Sequence, residues 1–144
     1  YDKFKQGFGN DFVKEVTMEH VFAETDVLSF HVPLTADTRY LFTSDYLSRF
    51  RKPIYLINTS RGEVVNTEHL LDGLKSGRVL GACLDVLEYE KFSFEDIQLQ
   101  QAPKAFMELI RRQDVLLSPH IAGWTHESNV RMAQVLASKI GQMA

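Results

Sequence analysis

Short apolar runs rich in β-branched and aromatic residues recur along the chain, at Val27 to Val32, Ile54 to Ile57, Val79 to Val86 and Val115 to Leu117. These read as strands. Almost every position in them is apolar, where a half-buried strand would alternate, and that pattern suits strands covered on both faces of a parallel sheet. They return about every thirty residues, the length of a strand, a crossover helix and the next strand. The intervals carry helical periodicity at Ser44 to Phe50, Thr67 to Ser76, Pro103 to Arg112 and Thr125 to about Ile140. Leu70, Leu71 and Leu74 form one apolar stripe, with Asn66 or Thr67 as cap, Glu68 at the positive end of the helix and Gly77 suited to a left-handed stop. Phe106, Leu109 and Ile110 form a second stripe behind Pro103, and Val130, Ala133, Leu136, Ala137 and Ile140 a third. Strict alternation of strand and helix predicts a layered α/β fold with right-handed crossovers.

Composition changes this picture little. The chain has 144 residues, 44% of them apolar and 24% charged, which is ordinary globular composition and one domain's worth of chain. Its net charge of −3 gives no field that would attract nucleic acid or a lipid surface. No apolar run approaches the length of a membrane span. The one cysteine, Cys83, forms no internal disulfide, which favours a reducing compartment and makes the cytoplasm the expected location. Its apolar surroundings predict a buried, inert thiol. His20, His69 and His126 fall on helical patterns and read as surface residues, and no Cys/His cluster has metal-ligand spacing.

In layered α/β folds ligands bind beyond the carboxyl ends of the strands, so the residues after each apolar run are where chemistry is expected. Those residues are informative. Pro33 follows the first run, and Asn58-Thr59-Ser60-Arg61-Gly62 follows the second. Asp85 ends the third, ahead of Glu88 and Glu90, and Ser118-Pro119-His120-Ile121-Ala122-Gly123 follows the fourth. A guanidinium, carboxylates and an imidazole thus converge on one rim.

Four stretches in this order, 26–35 (DVLSFHVPLT), 57–65 (INTSRGEVV), 81–86 (GACLDV) with Glu90, and 117–123 (LSPHIAG), resemble the NAD-binding domain of the D-isomer-specific 2-hydroxyacid dehydrogenases. The resemblance implies a Rossmann-type parallel sheet with helices on both faces, and hydride transfer between NAD(H) and a D-2-hydroxyacid/2-keto acid pair. By it, Arg61 binds the substrate's carboxylate and keto oxygen, a task suited to a permanently charged, rigid donor fork. His120 is the general acid and base, and Glu90 hydrogen-bonds that imidazole and fixes its tautomer. Asp85 is assigned to the nicotinamide carboxamide. Val32, Pro33, Thr59, Ser60 and Gly123, with Arg61 and His120 beside them, line the cofactor. Asp2 accepts the adenosine-ribose hydroxyls, where a carboxylate repels the extra phosphate of NADP; Lys3 and Lys5 follow it and pull the other way. The partners implied are a small 2-hydroxy or 2-keto acid and a second copy in a homodimer.

There are departures from the family pattern. Its glycine-rich phosphate loop would precede Asp2 by about twenty residues. Gly7 and Gly9 come after Asp2 and are not that loop. The first strand and helix, and most of the substrate domain, would also lie upstream, so residues 1–144 are expected to form a partial dinucleotide-binding domain that is inert on its own. Lys91 stands where relatives usually have proline, and 91–113 is longer than the usual connector. A second class of function is an NAD(H)-sensing interaction module of the same fold without turnover.

Overall fold

Four parallel strands, β1 (Val27–Phe30), β2 (Ile54–Asn58), β3 (Val79–Leu84) and β4 (Val115–Leu117), pair in the order β1-β2-β3-β4. The structure, a computed structural model, describes residues 1–89 and 103–142. The strands are those expected from the apolar runs, with β1 ending at Phe30 and β3 at Leu84, each two residues early. In both cases the chain leaves the ladder to enter a loop of the rim.

Register sorts the strand residues into two faces. Leu28, Leu56, Ala82 and Val115 form one row across the sheet, and Phe30, Asn58, Leu84 and Leu117 a parallel row on the same face. Those rows meet the helices α1 (Met18–Glu24), α2 (Ser44–Ser48), α3 (Thr67–Lys75) and α4 (Lys104–Leu109) in one hydrophobic core. Leu47 of α2, Leu70 of α3 and Leu109 of α4 are buried in it. Phe22 of α1 packs edge-on against Phe50, with ring centroids 5.0 Å apart. The helices end as their sequences dictate: Thr43, Asn66 and Thr125 each accept an amide hydrogen from three residues ahead, and Gly77 closes α3 with φ +71°.

The opposite face differs from expectation. Val27 is 53% exposed, Tyr55 50% and Leu116 67%, so the near-continuous apolar runs are covered on one side only among the described residues. The strand order supplies the reason. Right-handed crossovers that always step in the same direction lay every connecting helix on the same face. Cys83 lies in the uncovered row with Ser29, Ile57 and Leu116 and is exposed, so the thiol is not the buried one its neighbours suggest.

Three further points refine the sequence reading. Helix α1 is not among the helices expected from the sequence, although Thr17 caps it and Met18, Val21 and Phe22 carry its inward spacing. Helix α5 (His126–Gly141) forms where expected but buries no residue; its stripe is in the open, with Leu136 60% and Ile140 59% exposed. His20 and His126 are exposed as expected, whereas His69 is half-buried, and its Nδ1 has no hydrogen-bond partner among the described residues.

The two apolar stripes therefore differ in what they contribute. Leu70→Ala is expected to lower the stability measured by urea unfolding by about 2–5 kcal/mol, the range for a leucine emptied from a packed core. Leu136→Ala is expected to change it by less than about 0.5 kcal/mol. Equal losses would mean that α5 is packed as tightly as α3.

Candidate active site

The loop after β2 is organised by Asn58, which is fully buried. Its Oδ1 accepts the amide hydrogen of Ser60 at 3.1 Å and the Ser60 hydroxyl at 2.8 Å. Its Nδ2 donates to the Arg61 carbonyl at 3.0 Å. The turn is thus wound around one side-chain amide, and Arg61 emerges at its outer edge. Arg61 is exposed and donates from Nη1 to the Ser60 carbonyl at 2.6 Å, so the rest of its donor fork is open to solvent. Ser60 is buried, its hydroxyl is turned inward, and its amide and carbonyl are held by Asn58 and Arg61. Gly62 begins a short 3-10 helix, Gly62–Val64, and cannot be replaced without movement: a Cβ there would lie 2.0 Å from the Leu87 carbonyl carbon and oxygen. That backbone-to-backbone approach binds the Arg61 loop to the segment after β3.

The loop after β4 is organised by Asp85, also buried. Oδ1 accepts the Ser118 hydroxyl and the Ile121 amide at 2.9 Å, while Oδ2 accepts the Ala122 amide at 2.9 Å. The Asp85 carbonyl accepts the His120 amide at 2.9 Å. His120 stands at the tip of this turn with φ +55°, a left-handed conformation that histidine enters more readily than branched residues but still at a cost of about 1 kcal/mol or more. The hydrogen bonds to Asp85 hold it there. Burial pushes the Asp85 carboxyl up, but the hydrogen bonds from Ser118, Ala122 and Ile121 and the neighbouring His120 outweigh burial and keep it below the ordinary 3.8. The two loops are joined by backbone, since the Asp85 amide donates to the Asn58 carbonyl at 3.0 Å. Asn58, Asp85 and His120 are therefore one hydrogen-bonded series from β2 to the His120 backbone.

The other rim residues are placed less uniformly. Val32 is half-buried against the core, and the Pro33 carbonyl accepts the Thr38 hydroxyl at 2.6 Å in a turn that closes the loop after β1. Thr59 is half-buried beside Ser60. A Cβ on Gly123 would meet nothing within 4 Å, so open space adjoins the His120 turn. Asp2 Oδ1 accepts the amides of Phe4 and Lys5 at 2.8 and 2.9 Å, and those bonds hold the carboxyl below 3.8. Oδ2 carries no hydrogen bond among the described residues. An ionised carboxylate with one free oxygen can accept from a ribose hydroxyl. Asp2 is tied to the rim because Lys3 Nζ lies 3.0 Å from Asp37 Oδ2, in the loop after β1.

Glu88 accepts the amide of Thr67 at the start of α3 at 3.3 Å. The hydroxyls of Tyr40 and Tyr89 are held above their ordinary value by burial first and then by the nearby Glu88 carboxylate. Glu88 is thus committed to the scaffold. Glu90 and most of 91–113 lie outside the described residues, which resume at Pro103. Among the described residues no group of three His, Cys, Asp or Glu is placed to hold a metal ion, and no helix is long and apolar enough to cross a membrane.

The sequence stretches singled out Asp85 and Arg61 but not Asn58, whose role is visible only once its burial is known. Asp85→Asn is expected to lower stability by about 1–3 kcal/mol, because an amide nitrogen replaces an acceptor that faces a donor. The folded carboxyl titrates below 3.8, so its contribution is complete above that pH and is lost as the pH falls through the folded value. The stability gap between the two proteins, followed by urea unfolding against pH, is expected to stay constant down to about pH 4 and to close below it. A gap that closes between pH 5 and 7 would contradict this placement.

Comparison with known proteins follows the same geometry. Residues 1–122 match the family model described as "D-isomer specific 2-hydroxyacid dehydrogenase, NAD binding domain". The chain is 35% identical over 145 residues to a glyoxylate reductase of Korarchaeum cryptofilum, covering 97% of this chain and 40% of that protein. It is 36% identical over 121 residues to a D-lactate dehydrogenase of Lactiplantibacillus plantarum, covering 83% and 36%. A D-isomer specific 2-hydroxyacid dehydrogenase from Lactobacillus delbrueckii ssp. bulgaricus, solved in an NAD complexed form, superposes with a TM-score of 0.82 at 30% identity, covering 96% of this chain and 43% of that one. The chain spans about two fifths of the length of the curated relatives it matches. With the four-stranded parallel sheet and the rim it carries, these likenesses establish that the chain belongs to the D-isomer specific 2-hydroxyacid dehydrogenase family, in its NAD-binding domain.

Proposed function

We propose that the protein carrying this chain interconverts D-2-hydroxyacids and 2-keto acids with NAD(H). The observation that supports this most is the hydrogen-bonded series through Asn58 and Asp85, which brings Arg61 and His120 to one rim from two different loops. Bound NAD(H) supplies or accepts the hydride. The chain's own residues do the rest. Arg61 pairs its open donors with the substrate carboxylate and draws electron density from the keto oxygen. His120 delivers a proton to the alkoxide oxygen as it forms, and removes it in the reverse direction. Glu90, three residues beyond the Gly62 contact at Leu87, is the carboxylate proposed to orient that imidazole. Asp2 takes the ribose hydroxyls; Val32, Pro33, Thr59, Ser60 and Gly123 line the cofactor; Asp85 reaches the carboxamide from the oxygen that receives a single hydrogen bond, Oδ2.

The reading includes a homodimer and a cytoplasmic location. Sedimentation at micromolar concentration is expected to give twice the mass of one chain, and a monomer would remove the dimer from the account.

The direct test is NADH oxidation with glyoxylate, hydroxypyruvate, pyruvate and phosphohydroxypyruvate. Turnover with at least one is expected, and His120→Ala is expected to lower kcat about 100-fold or more, the usual worth of a positioned acid–base group. Unchanged turnover in that variant would overturn the assignment. NADH-dependent capture of a partner without turnover of any of the four acids would replace the enzyme by a sensing module.

A further inference from the structure

The end of the site nearest Asp2 contains a charge arrangement that the enzyme reading does not use. Lys3 and Lys5 follow the carboxylate proposed to meet the adenosine ribose, and in sequence both are available as counter-ions to a 2′-phosphate. In the fold Lys3 is engaged. Its ammonium lies 3.0 Å from Asp37 Oδ2 and 5.3 Å from the centroid of the Phe4 ring. Asp37 is presented from a defined turn: Thr35 donates its amide to the Thr38 hydroxyl at 2.8 Å, that hydroxyl donates to the Pro33 carbonyl at 2.6 Å, and the Arg39 amide returns to the Thr35 carbonyl at 3.0 Å. The turn that carries Asp37 is thus the one that shapes the backbone at Pro33.

From this we propose that Asp37 is a specificity-determining residue for the dinucleotide, acting through Lys3. The inference rests on the reading of Asp2 as the ribose-binding carboxylate. A 2′-phosphate adds between one and two negative charges and needs a cation within reach. Asp37 engages Lys3, the cation next to Asp2 in sequence. NADH, whose 2′-hydroxyl asks only for an acceptor, needs no cation there. With Lys3 paired to Asp37, Lys5 is the lysine left acting on the Asp2 carboxylate, so Asp37 lowers the positive charge offered to a 2′-phosphate.

The test is titration of NADH and NADPH, by nicotinamide fluorescence, into the protein carrying this chain and its Asp37→Asn, Lys3→Ala and doubly substituted variants. Both positions are well exposed, at 70% and 59% of the side chain, so the variants are expected to fold, which circular dichroism checks. The ratio of NADPH to NADH dissociation constants is expected to fall roughly two- to fivefold in Asp37→Asn, the scale of one exposed ion pair. The gain is expected to vanish when Lys3→Ala is added, and to shrink as salt rises. An unchanged ratio in Asp37→Asn, or a gain that survives Lys3→Ala, overturns the role of Asp37 while leaving the NAD-binding reading in place. Binding of neither nucleotide to the unsubstituted protein overturns that reading and this inference together.

Discussion

Two buried polar side chains at the ends of adjacent central strands, Asn58 on β2 and Asp85 after β3, govern the rim of this domain. Neither is tolerable in a core unless its hydrogen-bonding atoms are satisfied. Both are satisfied by backbone of the loops that carry the reactive groups. The requirement of the core for paired polar atoms and the requirement of a site for fixed geometry are met by the same bonds. Arg61 and His120 stand outside this framework with their side chains at the surface, held by neighbours that never need to touch a substrate.

The sheet sets where that framework can be. Parallel strands all present their carboxyl ends on one side, and four of them in consecutive order align four loops along a single edge. Gly62 then closes the gap between two of those loops, because only a residue without a Cβ lets the backbone at Arg61 rest on the Leu87 carbonyl. A larger residue there has to part the two loops. Rigid spacing across the rim thus depends on one missing methyl group as much as on the polar pair.

Much of this was legible in the residues themselves. The strands and four of the five helices among the described residues follow from apolar runs and stripes, and three of those helices begin at Thr or Asn at the right offset. The rim loops announce themselves through Asn58 to Gly62 and Ser118 to Gly123. What periodicity does not state is which faces are covered. An apolar run such as Val79 to Leu84 looks the same with one side exposed, which is why Cys83 reads as buried and is not. The stripe of α5 likewise has the spacing of a packed helix and buries nothing. Asp85 was legible as a site residue, but its hold on the His120 turn depends on contacts 33 to 37 positions away in sequence. The Lys3–Asp37 pair, 34 residues apart, is beyond local pattern for the same reason.

The central claim is that one carboxylate, Asp85, holds the turn that carries His120. Proton–nitrogen correlation spectra of the Ile121 and Ala122 amides, followed from about pH 6 to about pH 2, test it most directly, because an amide bonded to a carboxylate shifts when that carboxylate is protonated. The account predicts that both amide protons move together with one midpoint below 3.8, the ordinary value for aspartate. Independent midpoints, or a shared one at or above that value, would contradict it.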